Sequence, residues 1–204
     1  MVDYGSISEA AHAMVSNYPD MIRRGRISPD FIFDDLGFDI VPIPRLRQFA
    51  RTLDIDVGTL LLLATKCVYV DESLLDYPRY NFSIAHELGH FDLHSKSFSH
   101  CASMKEFLES YLEFGVAEIL EKEANVYASH LLMPDQLIVP ALQNLLSTLD
   151  SKIKNILNKR NVDDNISSIA PALAPMFGVS NKAVYWRIFH DPTLREGVRE
   201  LSQE

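Results

Sequence analysis

Cysteine is scarce: the 204-residue chain has two, Cys67 and Cys101, far apart and without a CxxC spacing. That excludes a disulfide framework and a thiolate zinc site, and leaves two free thiols of the kind kept in a reducing compartment. Long apolar runs are missing too. The longest, residues 57–70, is interrupted by Lys66 and falls short of the roughly 20 residues a membrane-spanning helix needs. It reads as core. The opening Met1-Val2-Asp3-Tyr4-Gly5 has an acid where a secretory signal would carry Lys or Arg, and no apolar run follows, so a cytoplasmic protein without membrane contact is expected. Basic residues are the third shortage, 19 Lys and Arg against 28 Asp and Glu, for a formal net charge of −9. Such a surface is poorly suited to neutralising phosphates, so no direct nucleic-acid partner is expected.

What is present suffices for a folded core. With 47% hydrophobic residues, the chain can bury one globular domain. Apolar periodicity predicts a short helix over residues 7–15. A second starts at Ser28-Pro29, an N-cap residue followed by proline at the first helical position, and stops at Gly37. Weak alternation between Gly37 and Pro44 predicts a strand, helical spacing a helix over 45–53, and the stretch 59–70 one or two further strands. From Asn81 onward apolar positions recur at three and four residues, predicting helices over 82–93, 104–114, 117–133, 135–149, 166–177 and 181–189. Pro134, with no amide hydrogen to donate, parts the third from the fourth. Residues 161–165 read as a polar loop. The class is α+β, a small N-terminal sheet packed with a mostly helical domain. Residues 1–29 form a helical extension, 30–190 the main domain with a helical part over about 135–190, and 191–204 a tail.

The segment Phe82-Ser83-Ile84-Ala85-His86-Glu87-Leu88-Gly89-His90-Phe91-Asp92-Leu93-His94 carries the chemistry. It contains HExxH, which chance produces in about one in a hundred chains of this composition. On a helix, His86 and His90 sit one turn apart on one face and can offer imidazole nitrogens to a single ion. Glu87, about 100° round the helix, can reach a water in the metal's open position and act as general base. Ile84, Ala85, Leu88 and Leu93 make the helix look buried, and burying two histidines and a glutamate without a partner is costly.

A catalytic zinc takes a third protein ligand and leaves a fourth position for water. Lys96 stands where an HExxHxxGxxH arrangement would have its third histidine. His94 continues the stripe, but lies about 6 Å further along the axis than His90, too far to converge on the same ion; it suits a helix-end or supporting role. His100 and His130 have no spacing argument and read as structural. On the later predicted helix two glutamates compete. Glu121 shares a face with Ala124, Asn125, Ala128 and Leu132, small or apolar residues that allow close packing against the HExxH helix, whereas Glu123 points about 200° away, towards Tyr127 and His130. Glu121 has the better claim. Asn125, one turn on, can hydrogen-bond a ligand imidazole and set its tautomer.

These residues carry a resemblance. The stretches Arg79-Tyr80-Asn81-Phe82-Ser83-Ile84-Ala85-His86-Glu87-Leu88-Gly89-His90 and Glu121-Lys122-Glu123-Ala124-Asn125-Val126-Tyr127-Ala128-Ser129-His130-Leu131-Leu132-Met133-Pro134 resemble the ImmA/IrrE family of zinc metallo-endopeptidases, with its HELGH, ExxAN, aromatic-Ala and LLMP pattern. The likeness extends over about residues 30–190, through Gly37 to Pro44 upstream and Phe177 to Val184 downstream. It implies a zincin-like fold, Zn2+ held by His86, His90 and Glu121, and Glu87 as general base. It also implies cleavage of a helix-turn-helix repressor, switching on stress-response or mobile-element genes. The long run between Leu149 and Ile166, with Lys152, Lys154, Lys159 and Arg160, departs from the pattern and reads as a solvated helix face. Tyr111, Tyr127 and His130 are candidate donors to the oxyanion of a peptide-bond hydrolysis.

Two other classes compete. Residues 173–188, with Gly178 between helical stretches, superficially read as a helix-turn-helix, but their basic complement is only Lys182 and Arg187. A catalytically silent module that sequesters a repressor is the other, and the intact HExxH and Glu121 speak against it.

Overall fold

Asp3 starts the first helix, its carboxylate accepting from the backbone N–H groups of Gly5 and Ser6, and α1 (Tyr4–Ser16) follows. The structure is a computed structural model that describes residues 2–52, 58–75, 79–98, 103, 106 and 117–200. The helix expected over 104–114 falls, but for residue 106, outside these residues, as do Tyr111, His100 and Cys101. After α1 come α2 (Pro19–Arg24) and α3 (Pro29–Asp35), the latter entered through Ser28 and Pro29 as the sequence suggests.

Three short strands form a mixed sheet in the order β1-β3-β2. β1 (Asp39–Ile43) runs parallel to β3 (Cys67–Asp71), and β2 (Thr59–Leu62) pairs antiparallel with β3. The stretch 59–70 therefore supplies two strands, and Lys66, the charge within that apolar run, sits in the turn between them at φ 50°. Between β1 and β2 lies α4 (Leu46–Arg51). The Asp71 carboxylate, accepting from the N–H groups of Arg47 at 2.7 Å and Ser73 at 2.9 Å, ties the start of α4 to the end of β3. The four residues of β2 are buried, with α5 (Arg79–Phe98) packed against them. Phe38 stacks edge-on to Phe91, and Phe33 packs on Phe38, which joins α3 and the sheet to α5.

The rest of the described chain is helical: α6 (Ala117–Leu132), α7 (Asp135–Thr148), α8 (Ser151–Leu157), α9 (Val162–Phe177), α10 (Asn181–His190) and α11 (Pro192–Glu200). The central packing is α5 against α6, with α1 packed mainly on α6 and in part on α5. Among the described residues no helix is long and apolar enough to cross a membrane.

Three expectations are corrected. Residues 1–29 are helical but are no appendage: Ile7, Ala11 and Val15, one turn apart each, are buried in the common core against α6. Residues 161–165 are not a loop. Asn161 caps α9 by accepting from the N–H of Asp164, and Asn165, fully buried, donates its amide to the Leu157 carbonyl at 3.0 Å, so their polarity serves a helix start. Nor is everything past His190 a tail. Asp191 accepts from the N–H groups of Thr193 and Leu194, and α11 then buries Leu194 and Val198 on one face.

Candidate metal centre

Close contact between α5 and α6 brings the site together. Ile84, Ala85 and Leu88 on α5 and Ala124 and Ala128 on α6 are fully buried, so the helices meet through small and apolar side chains. Gly89 makes the approach tighter still: a β-carbon there would lie 3.0 Å from the Ala124 Cα and 3.2 Å from its carbonyl oxygen. Glu121, one turn before Ala124 and Asn125, is thereby set beside the HExxH turn.

There the donor atoms converge. His86 Nε2 lies 3.1 Å from one Glu121 oxygen, His90 Nε2 lies 3.1 Å from the other, and the two Nε2 atoms are 3.0 Å apart. Nitrogens bound tetrahedrally to one zinc at 2.0–2.1 Å stand about 3.3 Å apart. The donor set fits such an ion within a few tenths of an ångström. Two imidazoles and one carboxylate make three protein ligands, the number that leaves a coordination position open for chemistry.

The electrostatics agree. Burial pushes the Glu121 carboxyl up, but hydrogen bonds and charges from His86 and His90 outweigh it and hold the group well below the usual carboxylate range. Burial pushes His86 down, and its contacts with Glu121, the Glu87 charge and Asn125 overcome that and leave it above its ordinary value. Asn125 Oδ1 lies 3.1 Å from His86 Nδ1. An amide oxygen can only accept, so Nδ1 carries a hydrogen, and Nε2 is the nitrogen that would offer a lone pair to an ion at the shared point.

Glu87 stands apart from this trio. It is 4% exposed, and its Oε1 accepts from the Thr59 hydroxyl at 2.5 Å. Glu87 thus bonds to β2, whereas His86 and His90 of the same helical turn face Glu121 of α6. Thr59 went unnoticed in the sequence, where nothing marks a lone threonine 28 residues before its partner; β2 pairing alone brings it there.

Glu123, one turn before Tyr127, has its partner on α5 as Tyr127 does: its Oε2 meets His94 Nε2 at 3.0 Å, and the other nitrogen of His94, Nδ1, lies 3.1 Å from His90 Nδ1. Of the expected oxyanion donors, Tyr127 is fully buried with its hydroxyl donated to Asp92 at 2.9 Å. His130 is engaged through Nδ1 with Ser8 Oγ at 3.0 Å.

Arg187, counted above as a base for DNA, is 1% exposed. Its Nε donates to the Met133 carbonyl, and its two terminal nitrogens pair with Asp135 and Asp191. The stretch 173–188 is two packed helices turning at Gly178, φ 65°.

Two clefts lie beside the start of α5. One, of about 480 Å³, has Phe82, Asn125, Ser129, Lys182 and Trp186 in its walls; the other, about 320 Å³, has Gly58, Thr59, Phe82 and Ser83. Phe82 and Ser180 border both.

Compared with known proteins, residues 45–189 match the family model for the IrrE N-terminal-like domain of peptidase family M78. No curated protein and no solved structure matches the chain.

Proposed function

Because the chain belongs to the ImmA/IrrE family of metallopeptidases, we propose that it is a zinc endopeptidase that cuts a helix-turn-helix repressor at a specific site. The observation that carries this reading is the convergence of His86, His90 and Glu121, whose donor atoms lie within 4.8 Å of one another. In this reading these three residues hold the ion, and Asn125 keeps His86 in the tautomer that does so. Zinc, when bound, supplies Lewis acidity towards the scissile carbonyl and lowers the pKa of its water.

The chain's own residues do the rest. Glu87 takes the proton of the attacking water and returns it to the leaving amine. The Thr59 hydroxyl, donating to Oε1, orients the carboxylate and leaves its other oxygen for the water. The two clefts bordered by Phe82 and Ser180, one walled by Asn125 and the other by Thr59, give a peptide room beside the site. Buried Arg187 disfavours the reading as a DNA-binding regulator, since a guanidinium committed to two carboxylates and a carbonyl has nothing left for phosphate.

Incubation of the zinc-loaded protein with a candidate helix-turn-helix repressor, followed on a gel, tests the proposal. Cleavage at one site by the wild type and none by Glu87→Gln is the expected result. Binding without cleavage by either protein would instead favour the silent module.

A further inference from the structure

Behind His90, on the side away from Glu121, stand a buried histidine and a half-buried glutamate that the reading above leaves without a task. His94 is 5% exposed. Its Nδ1 lies 3.1 Å from His90 Nδ1, and its Nε2 lies 3.0 Å from Glu123 Oε2. We propose that Glu123 and His94 form a two-step positioning relay that fixes the ring orientation and tautomer of His90, and through it the zinc affinity of the site. The inference rests on the metal-site reading above and deepens it.

The argument runs from the carboxylate inward. An ionised carboxylate is only an acceptor, so His94 must present Nε2–H to Glu123. A neutral imidazole has one N–H, so its Nδ1 is then a lone pair. That lone pair accepts from His90 Nδ1–H, and His90 is left with an unprotonated Nε2 facing His86 Nε2 and Glu121. The links from Glu123 to His90 are then mutually consistent, and the Nε2 lone pair of His90 is the one an ion would take. A metal-bound histidine ordinarily gives its outer N–H directly to a carboxylate or carbonyl. Here a second imidazole is interposed, because His94 follows His90 by one helical turn and reaches the α6 glutamate that His90 does not. His86 has a direct partner in Asn125, so the two zinc-facing histidines are oriented by unlike devices. One is a single amide, the other a chain ending in a charge.

The test measures zinc affinity by chelator competition, without any substrate. His94→Leu removes the acceptor for His90 and is expected to weaken zinc binding about 10–100-fold, the usual effect of losing such a partner. His94→Leu also strands Glu123, so the double variant with Glu123→Leu accompanies it and is expected to bind zinc as weakly as the single one. His94→Gln restores a carbonyl acceptor and is expected to recover most of the affinity, which mere loss of packing would not predict. In the zinc-loaded wild type, 15N correlation spectra of the histidine rings are expected to show His94 protonated at Nε2 and His90 at Nδ1.

Wild-type affinity in both leucine variants would overturn the relay, as would His94 protonated at Nδ1 in the wild-type spectrum. If the wild type itself binds no zinc, the metal-site reading falls and the relay with it.

Discussion

Gly89 and Ala124 touch backbone to backbone: a β-carbon at position 89 would come within 3.0 Å of the Ala124 Cα. Neither atom belongs to a side chain that can swing aside, so Gly89→Ala must push α5 and α6 apart by a few tenths of an ångström. A destabilisation of about 1–3 kcal/mol is expected, as for other overpacked cores. Zinc affinity should fall too, because Glu121 would recede from His86 and His90. Urea unfolding and chelator competition measure the two effects, and unchanged values for both would refute the account of how the site is assembled.

Glu87→Gln keeps the shape and the hydrogen bond from Thr59 but removes the proton acceptor. Loss of about 10²–10⁴-fold in peptide cleavage is expected, the usual worth of a general base, with zinc stoichiometry unchanged by elemental analysis. Thr59→Val should lower turnover more mildly while also leaving zinc in place.

Chelation should lower the melting temperature of the wild type, because an ion bound by α5 and α6 together stabilises only the folded chain. His90→Ala removes one of the three donors, so its melting temperature should respond to neither zinc nor chelator. A full zinc response in this variant would contradict the donor assignment.

His130 makes stability depend on acid. Burial first, then the positive charges of Arg187 and His12, push its pKa from 6.5 down to about 3, against a weaker pull from Asp191. Between these two values the unfolded chain binds a proton that the folded chain does not. This contribution is therefore whole above pH 6.5 and is lost as pH falls towards 3, with a slope of up to about 1.4 kcal/mol per pH unit. His130→Gln should flatten that part of the profile in denaturant unfolding measured from pH 7 to pH 4.

Arg187 fastens α10 to the junction of α6 and α7, with one bond to Met133, one partner in Asp135 and one in Asp191. Arg187→Ala removes a buried cation and its bonds to half-exposed Asp135, Asp191 and the Met133 carbonyl, and a loss of about 1–3 kcal/mol is expected. Arg187→Lys cannot reproduce the fork and should recover only part of it. Thermal unfolding of both variants provides the check.

The chemistry of the site was more legible in the sequence than its supports were. His86 and His90 are four apart on one helix, and Glu121 sits among small residues on the next, so helical period alone pointed to each. Thr59 escaped, and so did the pairing of Glu123 with His94, because strand pairing and the close helix approach decide them, and neither can be read from local spacing. The polar run 161–165 was misread for a related reason. Asn161 and Asn165 look like loop residues until their amides are seen capping α9 and bonding the Leu157 carbonyl. The helix after Asp191 was hidden by its brevity: only Leu194 and Val198 mark its buried face.

β2 is an edge strand, paired among the described residues with β3 alone, and its first residue, Thr59, grips Glu87. The outer rim of such a strand bonds to any extended main chain whatever its side chains. A target segment wound in a helix must unravel before it can lie there. On the peptidase reading proposed above, with the substrate laid along this rim, the rate of cutting is set by how often that stretch opens as much as by its sequence, so a partner that clamps the stretch would protect it without ever touching the enzyme.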